Sequence, residues 1–288
     1  MPPENPRELR LPPERELTRE LIIVSWNVNF KAPLDLIPAT IRQIEKELGC
    51  EVDIFCLTEI PIESFEEGAV DEQALFVADG LRVPRDNVLF VPQVVQRNER
   101  FSDEEDTMKW WSSGSGIYSR YPFAAGSEAI YKLREGKTER VNFFREGYKV
   151  VSFPTVGIAI PGREQPFRIG LFQTSIFTAM PWERRQEVRA LARAFKDCDM
   201  AVGDGNVRPN SRMARRLGEV LPLIETVGGH TFADTYSLGR VGPFPLWLPV
   251  ERTIDLGFAK PELQARGGVE KRYRGMSDHY PVIYRAQV

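Results

Sequence analysis

Two short motifs, far apart in the chain, combine residue types that phosphate chemistry uses. Residues 203–206 read Gly-Asp-Gly-Asn, and residues 277–279 read Ser-Asp-His. Short apolar runs beside each motif predict that both lie at the ends of β-strands. Carboxylates bind hard divalent cations, an amide can donate to a phosphoryl oxygen, and an imidazole can stabilise charge, so together they indicate metal-assisted phosphate chemistry. The candidate residues from these motifs are Asp204, Asn206, Asp278 and His279.

A further carboxylate, Asp255, stands between Ile254 and Leu256 in a predicted apolar strand. A buried carboxylate is costly unless it has a partner. The chain has two histidines, and we expect Asp255 to orient His279. We expect the other, His230, to have a structural or surface role in a loop.

The hydrophobic pattern places these residues on a mixed scaffold. Buried strands are predicted at 21–25 and at 52–57, the second ending at Thr58 and Glu59, and a helix at 37–48 is predicted to stop at Gly49. Such a mixture favours packed sheets with helices outside. Further helices are predicted at 66–79 and 182–196, and further strands at 88–95, 148–160, 167–174, 200–202, 253–259 and 280–285.

The composition is that of an ordinary soluble protein. The 288 residues are 42% hydrophobic and 27% charged with a formal net charge of -3, which argues against a basic surface overall. Three cysteines without paired spacing fit a reduced, cytoplasmic protein. No run approaches the ~18 apolar residues of a membrane span. Residues 1–20 lack the apolar segment of a signal peptide and are interpreted as a flexible leader, followed by a single domain at 21–288.

Six segments, taken in order, resemble the endonuclease/exonuclease/phosphatase superfamily, which includes deoxyribonucleases, tyrosyl-DNA phosphodiesterases, inositol polyphosphate phosphatases and neutral sphingomyelinases. The resemblance implies an α+β fold, a four-layer sandwich of two packed mixed β-sheets flanked by helices, with the site at one edge. It also implies hydrolysis of phosphoesters that depends on Mg²⁺ or Mn²⁺. The matching segments are residues 25–29, 57–59, 113–122, 203–206, 253–255 and 277–279.

The resemblance also implies roles for individual residues. Glu59 would be the main metal ligand, with Asn27 and Asp278 close to the metal or its waters. The remaining implied roles are water activation by Asp204, a phosphate contact from Asn206, transition-state stabilisation by His279 and orientation of that imidazole by Asp255.

The chain departs from the family pattern at two places. Residues 172–176 read Phe-Gln-Thr-Ser-Ile where the family usually has a Thr-His-Leu segment, so Gln173 or Ser175 stands near the position of the missing histidine. We interpret Ser175 as a candidate substrate contact. Gly205 replaces the usual phenylalanine and is predicted to loosen its turn. The missing histidine keeps open a non-catalytic binding module with the same fold.

Local basic clusters predict a track for a polyanion despite the acidic balance. The favoured function is therefore a nuclease or DNA-end-processing enzyme, and the alternative is the same chemistry on a phosphoinositide, sphingolipid or small phosphodiester. Residues 243–249 (Pro-Phe-Pro-Leu-Trp-Leu-Pro) are interpreted as a loop that could contact nucleic acid or lipid through Trp247, or close the core. We expect a monomer. The basic residues are Arg208, Arg212, Arg215 and Arg216; Lys271, Arg272 and Arg274; and Lys132, Arg134, Lys137, Arg140 and Arg145.

Overall fold

A computed structural model describes residues 19–29, 33–62, 69–97, 110–138, 146–174, 181–241, 244–273 and 277–288. The predicted leader, apart from residues 19–20, lies outside these ranges, and β1 already begins at Glu20. The strands are β1 (Glu20–Asn27), β2 (Ile54–Ile62), β3 (Val88–Arg97), β4 (Trp110–Ser119), β5 (Ala129–Thr138), β6 (Glu146–Ile158), β7 (Phe167–Gln173), β8 (Met200–Asp204), β9 (Thr226–Val227), β10 (Phe232–Val241), β11 (Phe244–Arg252), β12 (Asp255–Ala259), β13 (Arg266–Val269) and β14 (Val282–Gln287). The α-helices are α1 (Leu36–Leu48), α2 (Ala69–Leu81), α3 (Pro181–Ala194) and α4 (Arg212–Gly218), and short 3-10 helices lie at Arg85–Asn87, Phe195–Asp197, Pro261–Leu263 and Lys271–Tyr273.

Twelve of these strands form two mixed sheets that pack face to face, and β10 and β11 form a separate two-stranded sheet. The first has the order β12-β8-β7-β6, with β5 also on β6, and the second has the order β3-β4-β2-β1-β14-β13-β9. Strand β6 joins them, because residues 146–149 pair with β3 whereas residues 155–158 pair with β7. Backbone hydrogen bonding is therefore continuous through β6, although the two sheets that it connects lie face to face.

Three buried clusters separate the four layers. The cluster between the sheets joins Ile23 and Cys56 of the second sheet to Leu171 and Val202 of the first. These four residues are fully buried, and burying a valine, leucine or isoleucine side chain stabilises the fold by about 1.5–3 kcal/mol. The two sheets are therefore one cooperative core, and their shared edge is a rigid place to build a site.

Helices cover both outer faces. Ile37, Ile41 and Ile44 form the buried stripe of α1, which packs with α2 on the second sheet. Helix α1 ends at Gly49, whose φ of 67° is the left-handed value that favours glycine at this position. Helices α3 and α4 cover the first sheet. The four-layer fold implied by the resemblance is thus confirmed.

The structure corrects two predicted boundaries near the site. Strand β2 does not end at Thr58 and Glu59 but continues to Ile62, with a register shift between Leu57 and Ile60 that marks a bulge. In addition, β12 begins at Asp255, so this carboxylate stands at a strand end and not inside a strand. Both corrections concern where a strand bends or starts, which the apolar pattern does not encode.

The predicted loop at 243–249 is also wrong for its described part, because residues 244–252 form β11, the partner of β10 in a two-stranded hairpin. Pro245 and Pro249 misled the prediction, since proline removes a backbone donor. Because the two prolines are four residues apart, however, their backbone nitrogens point to the same edge of the strand. A two-stranded hairpin leaves one edge of each strand without a hydrogen-bonding partner. Proline is tolerated there. Among the described residues, none of the helices combines the length and apolarity that a membrane crossing requires.

Candidate active site

Two neighbouring strand ends place a pair of carboxylates side by side. Asp204 is the last residue of β8, Asp255 is the first of β12, and the two are direct cross-strand partners. Both side chains are buried. Like charges directly opposite in a sheet repel, so this pair requires a cation or a proton.

His279 is the hydrogen-bonding partner of Asp255. Its Nδ1 lies 2.9 Å and 3.1 Å from the two Asp255 oxygens, which leaves Nε2 on the far side of the ring. The Phe232 ring contacts the imidazole edge-on, with centroids 5.0 Å apart. The expected orientation of His279 by Asp255 agrees with this geometry.

The turn that carries His279 is fixed to the end of β1. The Ser277 hydroxyl donates to the Asn27 carbonyl at 2.6 Å and accepts from the His279 N–H at 3.0 Å. The indole of Trp26 donates to the His279 carbonyl at 3.2 Å. Residues separated by some 250 positions therefore meet through backbone-directed bonds.

Asp204 and Asn206 form a tightly bonded turn. The Asn206 N–H donates to Asp204 Oδ1 at 2.9 Å, and its Nδ2 donates to Asp204 Oδ2 at 3.1 Å and to the Thr174 carbonyl at 3.0 Å. Gly205 does not loosen this turn, because its N–H donates to the Ile254 carbonyl at 2.8 Å and its carbonyl accepts from Thr174 Oγ1. Both Asn206 amide hydrogens are engaged, so a phosphate contact would have to exchange one of them.

Amide side chains connect the two sheets across the site. Asn27 of β1 donates from Nδ2 to Asp204 Oδ2 at 3.2 Å. Gln173 of β7 donates from Nε2 to Oε1 of Glu59 at 2.7 Å. Glu59 itself lies in the β2 bulge with a φ of 55°, an unusual value for a non-glycine residue.

Asp278 stands at the rim of this group. Its Oδ1 accepts from Asn29 Nδ2 at 3.4 Å, and its side chain is partly exposed. Asn29 N–H in turn donates to Asn27 Oδ1 at 3.1 Å.

The electrostatics are those of a buried acidic cluster with one base. Burial, together with the charges of Asp255 and Glu59, raises the pKa of Asp204 to about 7, although His279 opposes this shift. Burial also raises the pKa of Glu59, against the opposing effects of His279 and of hydrogen bonds from Asn27 and Gln173. For His279, burial would lower the pKa, but Asp255 and then Asp204 and Asp278 outweigh it and raise the pKa to about 10.

The carboxylate oxygens of this cluster fit a hard divalent cation, whereas His279 Nδ1 is already bonded to Asp255. Ligand atoms of Asp204, Asp255 and His279 lie within 4.8 Å of one another, and all three residues are buried. The Glu59 carboxylate interacts electrostatically with Asp204 and His279 of this group. Several carboxylates around one imidazole leave an excess of negative charge that a divalent cation bound through oxygen would neutralise.

Not all predicted site residues belong to this group. Asn27, Glu59, Asp278 and the four predicted catalytic residues converge at one edge, whereas Arg208 lies beyond the turn and is exposed. Ser175 lies outside the described residues, and Trp247 is described only by its backbone in β11.

Two threonines that the sequence analysis did not single out also support the site. Thr174 bonds to both Gly205 and Asn206. Thr231 Oγ1 accepts from the N–H groups of Ile254 and Asp255, each at 3.0 Å. Thr231 stands in no motif, whereas Thr174 lies within residues 172–176, the segment that departs from the family pattern, and its position there could have pointed to it.

Solved structures share the fold at low identity. A family protein from Leptotrichia buccalis is 11% identical with a TM-score of 0.61, and the match covers 93% of this chain and 100% of that one. TDP2 of D. rerio, complexed with a single strand DNA product, is 14% identical with a TM-score of 0.55 and coverages of 93% and 99%. Sphingomyelinase C from Streptomyces griseocarneus is 15% identical with a TM-score of 0.54 and coverages of 93% and 100%. No curated protein matches the chain.

The family model of the Endonuclease/Exonuclease/phosphatase family matches residues 24–279. This match includes strands of both sheets, although not β14, and contains every residue of the acidic cluster from Asn27 to His279. Both the fold and the sequence model therefore lead to one assignment: the chain belongs to the endonuclease/exonuclease/phosphatase family, whose members are generally hydrolases of phosphoesters.

Proposed function

We propose that this protein is a phosphodiesterase that depends on a divalent metal and cleaves nucleic acid. The observation that carries the proposal is the buried group of Asp204, Asp255 and His279 at the sheet edge, with which the Glu59 carboxylate interacts electrostatically. Stability alone does not explain such a group, because buried like charges destabilise a fold. Perturbed pKa values concentrated in one place are typical of functional sites.

Glu59 is the proposed main ligand of Mg²⁺ or Mn²⁺, with Asn27 and Asp278 close to the ion or its waters. When bound, such an ion neutralises charge on a phosphoryl oxygen and lowers the pKa of a water molecule. The fixed positions of Asn27 and Glu59, each bonded across the sandwich, support this assignment.

Asp204 is the proposed acceptor of the proton of the attacking water. Its pKa of about 7 suits a general base at neutral pH. Asn206 holds the Asp204 carboxylate through two bonds and can turn its amide to a phosphoryl oxygen by exchanging one of them.

His279 is the proposed donor to the negative charge that develops on the phosphoryl oxygens in the transition state. With Nδ1 held by Asp255, a protonated ring presents Nε2–H as a donor. A fixed donor of this kind can supply several kcal/mol of transition-state stabilisation, about 3 in the best-studied sites.

Four exposed arginines support nucleic acid as the substrate. They follow the Asp204 turn directly, and none forms an ion pair with another described residue. By contrast, Arg272 is paired with Glu270 and Glu47 and offers less free charge. Lys132, Arg134 and Lys137 are described only by their backbone in β5, and Arg140, Arg145 and Arg274 lie outside the described residues. The four arginines are Arg208, Arg212, Arg215 and Arg216.

A substrate panel tests the proposal. Plasmid DNA, single-stranded RNA, a 5′-tyrosyl oligonucleotide, an inositol polyphosphate and sphingomyelin would each be incubated with Mg²⁺, Mn²⁺ or EDTA. We expect cleavage of a nucleic acid that EDTA abolishes and that the isosteric variant Asp204→Asn loses by a factor of about 10² to 10⁴. Metal-independent cleavage, or full activity in Asp204→Asn, would refute the proposal.

A lipid phosphodiester is the second candidate, favoured by the β10–β11 hairpin. Phe244, Leu246, Leu248 and Val250 are apolar residues at alternate positions of β11. The hairpin adjoins the site, because Phe232 of β10 contacts His279. Sedimentation with sphingomyelin vesicles separates the candidates: binding that Leu246→Ser with Leu248→Ser abolishes, joined to hydrolysis of that lipid alone, would favour the second.

A further inference from the structure

The Gln173–Glu59 contact stands out among the contacts of the site. Gln173 is the last residue of β7 in the first sheet, and Glu59 lies in the β2 bulge of the second. Their 2.7 Å hydrogen bond therefore crosses the sandwich. The roles proposed above do not use Gln173, although it stands beside the position where the family's histidine is missing.

The backbone of Gln173 is held firmly. It is the cross-strand partner of Asp204, and the next residue, Thr174, donates its N–H to the Asp204 carbonyl at 2.9 Å. The amide of Gln173 is thus anchored to the same strand end that presents the proposed base. Movement of Glu59 relative to Asp204 would break this bond.

Glu59 needs such a support. Its φ of 55° and the register shift around it mean that the strand ladder alone does not fix its carboxylate. An ordered ligand needs a partner that sets its orientation. A neutral amide does this without adding a positive charge that would compete with a cation.

We propose that Gln173 is a positioning residue that holds Glu59 in the orientation required for the divalent cation. This inference rests on the proposed function, because it assigns the cation to Glu59. Removal of the amide is expected to weaken metal binding about ten-fold or more, the usual effect of losing an outer partner of a metal ligand. Turnover at saturating metal should change much less.

The test measures Mn²⁺ binding directly, from the electron paramagnetic resonance signal of the free ion, without substrate. Gln173→Met keeps the length of the side chain and removes the donor, and Gln173→Leu is a second variant if the first folds poorly. Gln287→Met is the matched control. Gln287 of β14 also donates a hydrogen bond from its amide to a glutamate, Glu20 of β1, at 3.4 Å, and this pair lies away from the site. Thermal unfolding in EDTA would verify that every variant is folded.

We expect Gln173→Met to bind Mn²⁺ at least about ten-fold more weakly than the wild type. Gln287→Met should bind Mn²⁺ like the wild type. In a protein that already carries Glu59→Gln, Gln173→Met should cause no further loss of Mn²⁺ affinity. Wild-type binding by Gln173→Met and Gln173→Leu, while Glu59→Gln loses the ion, would overturn the inference and leave the proposed function standing. The inference would also be overturned if Gln173→Met lowered the Mn²⁺ affinity equally in the wild type and in Glu59→Gln. Gln173 would then act independently of Glu59. Unchanged binding by Glu59→Gln would instead refute the metal assignment itself.

Discussion

At the scale of single residues, Asp255 and His279 act as a unit. The bond from Nδ1 fixes the ring, and the carboxylate outweighs the burial that would otherwise lower the imidazole pKa. Because the chain has only two histidines, their NMR signals can be separated easily.

We predict that Asp255→Asn lowers the pKa of His279 from about 10 to near or below its ordinary 6.5. An NMR titration of the imidazole signals, assigned with His279→Gln, measures this directly. Asp199→Asn is the control, since Asp199 is a buried carboxylate bound to Arg163 and Lys260 at the opposite end of β8. An unchanged pKa in Asp255→Asn would contradict the role of Asp255.

The same groups predict how stability depends on pH without metal. Asp204 binds its proton more tightly when folded, since its pKa rises from 3.8 to about 7, so it destabilises the fold as pH increases between these values. His279 is stabilising below 6.5 and loses this contribution as pH rises towards about 10.

We therefore expect the Tm in EDTA to fall from acidic to alkaline pH, by about 2–4 °C for each kcal/mol lost. Asp204→Asn should flatten the decrease on the acidic side, and His279→Gln should flatten it on the alkaline side. Scanning calorimetry across this pH range provides the measurement. Parallel curves for all three proteins would show that these groups do not govern the dependence.

At the scale of elements, one glycine allows β7 and β8 to approach each other. Gly203 has a φ of 150°, and a Cβ there would lie 1.8 Å from the Phe172 carbonyl oxygen. No side chain can be accommodated without moving a strand that also carries Gln173.

We predict that Gly203→Ala destabilises the protein by about 3 kcal/mol or prevents folding, because strain and overpacking act together. Gly268→Ala in β13 is the matched control, since a Cβ there meets nothing within 4 Å. Urea unfolding compares the two. Equal urea midpoints for Gly203→Ala and Gly268→Ala would mean that β7 and β8 can move apart without loss of stability.

The elements also show what the sequence could predict. Helix α1 followed from its apolar period and Gly49, and β8 followed from a short apolar run, because burial alone determines both. The bulge at Glu59 could not be predicted, since it depends on how β2 meets β4. The β10–β11 hairpin was missed because its prolines are allowed only where one strand edge has no partner.

The candidate site could be predicted only in part, because the sequence shows residue types but not the contacts made in the folded structure. Motif residues such as Asp204 and His279 were found because their residue types suit chemistry. Asp204 ends β8 as predicted, whereas His279 forms an isolated bridge with Phe232 before β14 begins at Val282. Thr231 is a common residue type outside every motif, so only its contacts in the folded structure identify it. Gln173 stood near the missing histidine in the sequence, but its bond to Glu59 is visible only in the folded structure.

At the scale of the whole molecule, charge is distributed unevenly. The formal net charge is -3, yet Arg208 and three arginines in or beside α4 lie exposed just beyond the acidic cluster. A polyanion on this surface would release counterions, and the logarithm of its binding constant would fall with that of salt concentration by about 0.9 per neutralised phosphate.

We predict that Arg208→Gln combined with Arg212→Gln lowers this slope by about two for duplex DNA, because each lost phosphate contact lowers it by about one. Binding would be measured by fluorescence anisotropy in the Asp204→Asn background, which prevents cleavage. Arg85→Gln combined with Arg266→Gln is the control, because it changes the net charge by the same amount. These two arginines lie far from the candidate site, at the other ends of the strands: Arg85 precedes Val88 of β3, and Arg266 pairs with Arg285 of β14. An equal change of slope in both pairs would attribute binding to overall charge, whereas a change confined to the first pair places the nucleic acid along the arginines that follow Asn206.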